Sequence, residues 1–315
     1  MKERVDALTQ DLIMSGSDTS PPTYKQRDAE SYDAVAAEFD HFAQRLTVPF
    51  VAKMLALAQL RPRDRVVDVG TGTGLVALGA APLLGEGKII GIDHSQGMLE
   101  QAAAKARQAG VGDVVSFRKM DAEQLEFCDA SFDVILSLFA LLHFPEPLRA
   151  LQQMHRVLRP GGRVVIGVGS GPSLCSWNGV VQGVRRTAEF VAAARGRMLT
   201  APQFLHRMLI EHGMTPDARH QPLDRRPRIR RLLRKAGFER IQRHWLGHRT
   251  ALDPDEFWRL QVTFSSPDRI RLREASVRDV AALKQDFLER CRTVQNNGGE
   301  LIYRHAAMFY VGMRA

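Results

Sequence analysis

Val66-Val67-Asp68-Val69-Gly70-Thr71-Gly72-Thr73-Gly74 is an apolar strand that runs straight into a Gly-x-Gly-x-Gly turn, and the helical run Leu75–Leu84 follows it. Glycine permits positive φ and lets backbone approach a ligand closely, and a helix that starts there presents free N–H donors. Gly72, Gly74 and Ala77 also satisfy the dinucleotide spacing G-x-G-x-x-A, so the glycines alone leave a dehydrogenase open. Two acids narrow the choice. Asp68, immediately before the turn, would repel a pyrophosphate but suits the ammonium of an amino-acid moiety. Asp93 ends the second strand, where an acid grips ribose hydroxyls.

Outward from the turn, strands and helices alternate. Lys88–Asp93 reads as a strand and Met98–Gln108 as a helix. Val114–Met120, Phe132–Leu138 and Arg163–Val168 read as further strands, with a helix over Pro147–Leu158. This rhythm marks βαβ units, and the near-continuous apolar runs fit strands covered on both faces. Before it, residues 1–27 are rich in breakers and read as a flexible segment, and Ala29–Leu46 has helical spacing. After Gly169, residues 171–224 read as helices and loops without a clear strand. Ile229–Ala236 reads as a helix stopped by Gly237, Phe238–Leu246 as a strand, 253–294 as helical and Leu301–Met313 as a closing strand. The expected organisation is a flexible 1–27, lid helices in 28–60, a core over 61–170, a helical cap in 171–224, and the rest of the sheet in 225–315 with a second helical insertion at about 253–294.

Apolar residues make up 44% of the 315 and charged residues 25%, an ordinary globular mix, and no run is apolar enough to span a membrane. Three dispersed cysteines and the absence of an apolar leader fit the cytoplasm. Residues 171–245 hold 15 Arg or Lys against 5 Asp or Glu, which accounts for the whole net charge of +9. A basic segment in an otherwise neutral chain points to a local anionic partner or to a solvated helix face. No His pair has metal-ligand spacing, so no metal is expected.

Five ordered pieces resemble the class I S-adenosylmethionine-dependent methyltransferases, and the best fit is their ubiquinone/menaquinone-methyltransferase-like branch. They are Asp68–Gly74, Gly91-Ile92-Asp93-His94-Ser95-Gln96-Gly97-Met98-Leu99, Met120-Asp121-Ala122-Glu123, Ser131-Phe132-Asp133-Val134-Ile135 and Arg156-Val157-Leu158-Arg159-Pro160-Gly161-Gly162. The resemblance implies an α/β fold, Rossmann-like and doubly wound, with a mostly parallel seven-stranded sheet and an added helical cap. It implies S-adenosylmethionine as cofactor, with S-adenosylhomocysteine as product. Gly70, Thr71 and Gly72 would line its methionine end beside Asp68, and Asp93 with His94 would hold the ribose. Met98 would pack on the adenine, Asp121 and Ala122 would bond it, and Ser137 and Phe139 would border the sulfonium.

A sulfonium methyl is already electrophilic, so the protein must chiefly align a nucleophile and exclude water. A base is needed only where the nucleophile sheds a proton, and His143, following the fourth strand, is the candidate. Tyr32 and Phe39 are candidate lid residues over the acceptor, and Trp177, Arg185 and Arg186 candidate contacts in the first cap. An apolar pocket rimmed by arginine would suit a quinone, polyketide or prenyl-type acceptor, anionic or not. The expected partner is therefore a small molecule, with homodimer formation left open. The turn that binds a flipped base in amino-methylating DNA enzymes is absent after the fourth strand, which disfavours nucleic acid. Two alternatives stand beside methyl transfer to a small molecule: an RNA or protein methyltransferase that docks through 171–245, and a cofactor-binding fold without methyl transfer.

Overall fold

A computed structural model describes residues 23–169, 198–200, 204–214 and 228–315. The chain enters through three helices, α1 (Tyr24–Asp33), α2 (Ala36–Leu46) and α3 (Val48–Ala58). Helix therefore starts inside the segment expected to be flexible, because Thr23 and Gln26 form a capping box at its first turn. The single run expected over Ala29–Leu46 is broken at Ala34–Val35, where Val35 leaves helical geometry.

The core follows the expected order: β1 (Arg65–Val69), α4 (Leu75–Ala80), β2 (Lys88–Asp93), α5 (Gln96–Gln108), β3 (Val115–Lys119), β4 (Phe132–Leu138), α6 (Pro147–Val157) and β5 (Leu158–Gly169). Beyond it come β6 (Met198–Thr200), α7 (Phe204–Glu211), α8 (Ile229–Lys235), β7 (Glu239–Ala251), α9 (Pro254–Phe264), α10 (Ser266–Glu274), α11 (Val277–Asn296) and β8 (Glu300–Met313). No helix among the described residues is long and apolar enough to cross a membrane.

All these strands join one sheet. β3-β2-β1-β4-β5 run parallel, and β8 lies antiparallel between β5 and β7. These seven strands are the sheet expected from the sequence. An eighth, the short β6, pairs with β8 at Glu300–Ile302. It lies in 171–224, where no strand was expected; three residues carry too little alternation to register.

Strand periodicity divides the core. Val67, Val69 and Ile135 point to the face covered by α6 and α8, whereas Val66, Val134 and Leu136 point to the face covered by α3 and α4. A third cluster lies off the sheet. Phe204 of α7, Phe257 and Trp258 of α9 and Phe287 of α11 pack together, and Phe42 and Leu46 of α2 enter the same cluster. Full burial of each such side chain contributes about 1.5–3 kcal/mol. The insertion between β7 and β8 thus has its own core, and the N-terminal helices are built into it. Because β1 is flanked by β2 on one side and β4 on the other, the sheet's switch point falls at the carboxyl end of β1, where ligands bind in open α/β sheets.

Candidate active site

A cavity of ≈ 320 Å³ opens at that switch point. Gly70, Thr71 and Gly72 from the β1 loop, Asp93 and His94 from the end of β2, and Met98 of α5 line one side, with Asp121, Ala122 and Phe139 beside them. Most of the residues the sequence singled out for the cofactor are brought together here; Asp68, buried beneath the loop, is not among the lining residues. Ser137 is not among the lining residues; it is buried in β4 with its hydroxyl unpaired, because strand alternation turns it away.

The loop is held by backbone and by two acids. Gly70 N and Thr71 N donate to Ile92 O at 2.8 and 2.9 Å, and Gly72 N donates to Asp93 Oδ2 at 2.8 Å. Gly70 has φ +73°, and a Cβ there would collide with that of Ala140. A Cβ at Gly72 (φ +54°) would meet no protein atom, so that backbone faces the open crevice. Asp93 also accepts from Ser95 N at 3.0 Å, and burial, only partly offset by these donors, raises its pKa.

Asp68 is 1% exposed, accepts from Thr71 Oγ1 at 2.6 Å on Oδ2, and has no partner for Oδ1. Burial first, against the Thr71 hydrogen bond and with help from Asp93, pushes its pKa up to about 7. A buried carboxylate with a free oxygen under a glycine cradle fits a cofactor with an ammonium at one end, and the acid at the neighbouring strand end fits a ribose. These residues fit S-adenosylmethionine.

The opposite wall was only partly foreseen. Tyr32 and Phe39 do line the cavity, joined there by Phe264 of α9 and by Tyr303 and His305 of β8. The rings meet in sequence: Tyr32–Phe39 at 5.8 Å, Phe39–Phe264 at 4.9 Å, and His305 stacked on Phe139 at 4.5 Å. Phe139 holds its ring there from a left-handed conformation, φ +61°, unusual without glycine. Burial lowers the pKa of His305 to about 4, so it stays neutral. Trp177, Arg185 and Arg186 lie outside the described residues. Within the basic segment Arg228, Arg230, Arg231, Arg234 and Lys235 are exposed along α8, and none lines the cavity.

His143 lies in the wall too, 39% exposed, and it has a carboxylate partner. Its Nδ1 is 3.3 Å from Asp28 Oδ2 on α1, and its ring meets Tyr32 edge-on at 5.7 Å. Burial lowers its pKa, but the Asp28 hydrogen bond and charge outweigh that and raise it overall. Asp28 is correspondingly lowered despite its burial. Sequence reasoning missed Asp28 because nothing local links it to His143; the one trace is its i, i+4 placement with Tyr32 on one helix face. It also missed Lys25, whose Nζ donates to Asp121 Oδ2 at 2.7 Å and to Glu123 Oε2 at 2.5 Å.

Residues 67–166 match the family model of the methyltransferase domain. The 27-O-demethylrifamycin SV methyltransferase of Amycolatopsis mediterranei is 36% identical over 136 residues, covering 43% of this chain and 48% of that protein. The ubiquinone/menaquinone biosynthesis C-methyltransferase UbiE of Azotobacter vinelandii is 31% identical over 247 residues, covering 75% of this chain and 92% of that protein. The chain thus spans about half the length of several curated relatives and 92% of the Azotobacter protein. The crystal structure of the cyclase SpnF shares the fold, with TM-score 0.57 and 21% identity over 93% of this chain and 98% of that one. With the glycine cradle, the paired acids and a relative matched along almost its whole length, the chain belongs to the ubiquinone/menaquinone branch of the class I S-adenosylmethionine-dependent methyltransferases.

Proposed function

We propose that the protein methylates an oxygen or carbon of a small, largely apolar, hydroxyl-bearing ring molecule, with His143 as general base. The observation that carries this is the His143–Asp28 pair at 3.3 Å on the crevice wall. Relatives named for quinone precursors and for a demethylrifamycin support an acceptor of this class, and so does the aromatic wall of Phe39, Phe264, Tyr303 and His305.

Bound S-adenosylmethionine supplies an electrophilic methyl group. The protein's task is to hold and deprotonate the nucleophile. Asp28 occupies Nδ1 of His143 and fixes the tautomer, which leaves Nε2 to accept the proton of an acceptor hydroxyl. The imidazolium that results is stabilised by Asp28. Loss of that proton raises electron density on the oxygen and on the ring carbons conjugated with it, so one base serves either outcome. The aromatic wall presents flat apolar surface and excludes water. None of the arginines of α8 lines the crevice.

Labelled-methyl transfer to hydroquinones and phenols tests the reading, with S-adenosylhomocysteine formation as the product assay. Turnover of such an acceptor that drops steeply in His143→Gln is expected. Tight cofactor binding with no product from any acceptor would sink the proposal in favour of a fold that binds without transferring, a relevant outcome given that the fold also serves a cyclase.

A further inference from the structure

A hydrogen-bonded chain is buried behind His143, and it begins in the insertion between β7 and β8. Arg269 of α10 donates from Nη1 to the carbonyls of Val262 and Thr263 at 3.0 and 2.6 Å, and from Nη2 to Ser31 Oγ of α1 at 2.6 Å. Its guanidinium also sits 4.7 Å from the centre of the Tyr32 ring. Ser31 Oγ donates to Ser266 Oγ at 3.2 Å, and Ser266 Oγ donates to Asp28 Oδ1 at 2.5 Å. The other oxygen of Asp28 faces His143 Nδ1.

From Arg269 Nη2 onward the bonds run one way, through Ser31 and Ser266 to Asp28. Asp28, Ser31, Ser266 and Arg269 are all buried. Buried charged and hydroxylic groups are a costly means of joining two helices, since apolar side chains do so as well or better. The chain ends on His143, an imidazole of the crevice wall whose Nδ1 is engaged by a carboxylate. With both oxygens engaged, the carboxylate of Asp28 has one orientation, and that orientation sets the ring of His143.

We infer that Ser266 and Arg269 are positioning residues of the methyl-transfer reaction, which hold Asp28 in the orientation that aims His143 into the crevice. The inference rests on His143 as the base, and it gives the second insertion a role beyond roofing the acceptor: α10 completes the catalytic pair. The charged groups that bear on His143 are Asp28 from α1, Asp93 from the end of β2 and Arg269 from α10, with the Tyr32 ring against its edge. The first two favour its protonation, and Arg269 opposes it.

The test is an NMR titration of the His143 ring in the S-adenosylhomocysteine-bound protein, which needs no acceptor. In the wild type the ring titrates above its usual range and, when neutral, carries its proton on Nδ1. Asp28→Asn lowers the titration. Ser266→Ala is expected to lower it by at least half as much, and to add nothing when combined with Asp28→Asn. The sign is decisive. Loss of the hydroxyl without movement leaves Asp28 more basic and raises the His143 titration, whereas a fall requires that the carboxylate has turned away. An unchanged or raised titration in Ser266→Ala overturns the inference, as does an additive double variant. Arg269→Lys and Ser31→Ala supply the same readout if Ser266→Ala does not fold. Undiminished turnover in His143→Gln defeats the base assignment itself, a separate result from an unshifted ring.

Discussion

On the cofactor side of the crevice, Gly70, Gly72, Asp93 and Asp121 sit on loops leaving neighbouring strands, all within residues 68–122. On the proposed acceptor side, Tyr32 and Phe39 come from the N-terminal helices, Phe264 from α9, and Tyr303 and His305 from β8. The first wall is largely backbone geometry imposed by one sheet. The second is side chains from distant segments, held by a helical core that includes Phe42, Phe257 and Phe287. The difference teaches that binding the cofactor and choosing the acceptor are separable: one wall is common property of the fold, the other is assembled by what this chain adds to it. The two walls meet at His143, which follows β4 but takes its partner from α1.

If the walls are separable, substitutions in each should move different quantities. The largest effect belongs to the acceptor wall: His143→Gln should lower kcat by about 10²–10⁴-fold, the usual contribution of a positioned base. Its Kd for S-adenosylmethionine, measured by calorimetry, should stay within about twofold. Because Asp28 raises the His143 pKa, the unprotonated ring gains population only as pH climbs past its ordinary 6.5. Turnover should therefore rise with pH above that value, and in Asp28→Asn the acid limb should move to lower pH. The counterpart on the cofactor wall is Asp93→Ala. It removes a charged acceptor from Gly72 N and Ser95 N as well as the proposed ribose contact, and should raise the cofactor Kd about 10–100-fold, as for lost charged hydrogen bonds. Turnover at saturating cofactor should change much less. Equal loss in both quantities for either variant would break the comparison.

The same division explains what could be read from the sequence. Strand β4 is legible residue for residue, and the lining role of Gly70, Asp93 and Met98 follows from local motifs, because strand, turn and helix start are encoded within a few residues of each other. Asp28 and Ser266 touch across 238 positions, a pairing no periodicity reports. Phe264 and Tyr303 look like ordinary core aromatics until the sheet places β8 beside β5. Ser137 illustrates the converse: it stands in the strand the motif marks, yet it is buried and is not among the residues that line the cavity.

Within the cofactor wall, Asp68 offers a finer test. With its pKa near 7 the carboxyl is partly protonated in the ligand-free protein at neutral pH. An ammonium beside it favours the charged form, so binding releases a proton, and affinity should fall as pH drops below about 7, by at most about tenfold per unit. Calorimetry in buffers of different ionisation enthalpy measures that release directly. Asp68→Asn should abolish both the release and the acid-side loss. The sign for stability is the opposite of a salt-bridged carboxylate. The folded state holds a proton that the unfolded state has lost from about pH 4 upward, so Asp68 weakens the ligand-free fold as pH rises towards 7. Cofactor binding should remove that weakening.

The smallest expected effect lies where the walls touch. Lys25 belongs to α1, which supplies Asp28 and Tyr32 to the acceptor side, yet its ammonium bonds Asp121 and Glu123 on the cofactor side. Asp33, at the other end of α1, accepts from Ser95 Oγ at 2.6 Å and from Gly97 N at 2.8 Å. The helix is thus pinned at both ends to the loops that follow β2 and β3. Lys25 and Asp121 are partly exposed, so their pair is screened and contributes at most about 1 kcal/mol. Lys25→Met should therefore speed S-adenosylhomocysteine dissociation by no more than about fivefold in stopped flow. Added salt should accelerate dissociation from the wild type but much less from the variant. Dissociation that is slower in Lys25→Met would mean that Lys25 competes with the adenine for Asp121 rather than latching the helix, and the two walls would then be coupled in the opposite sense.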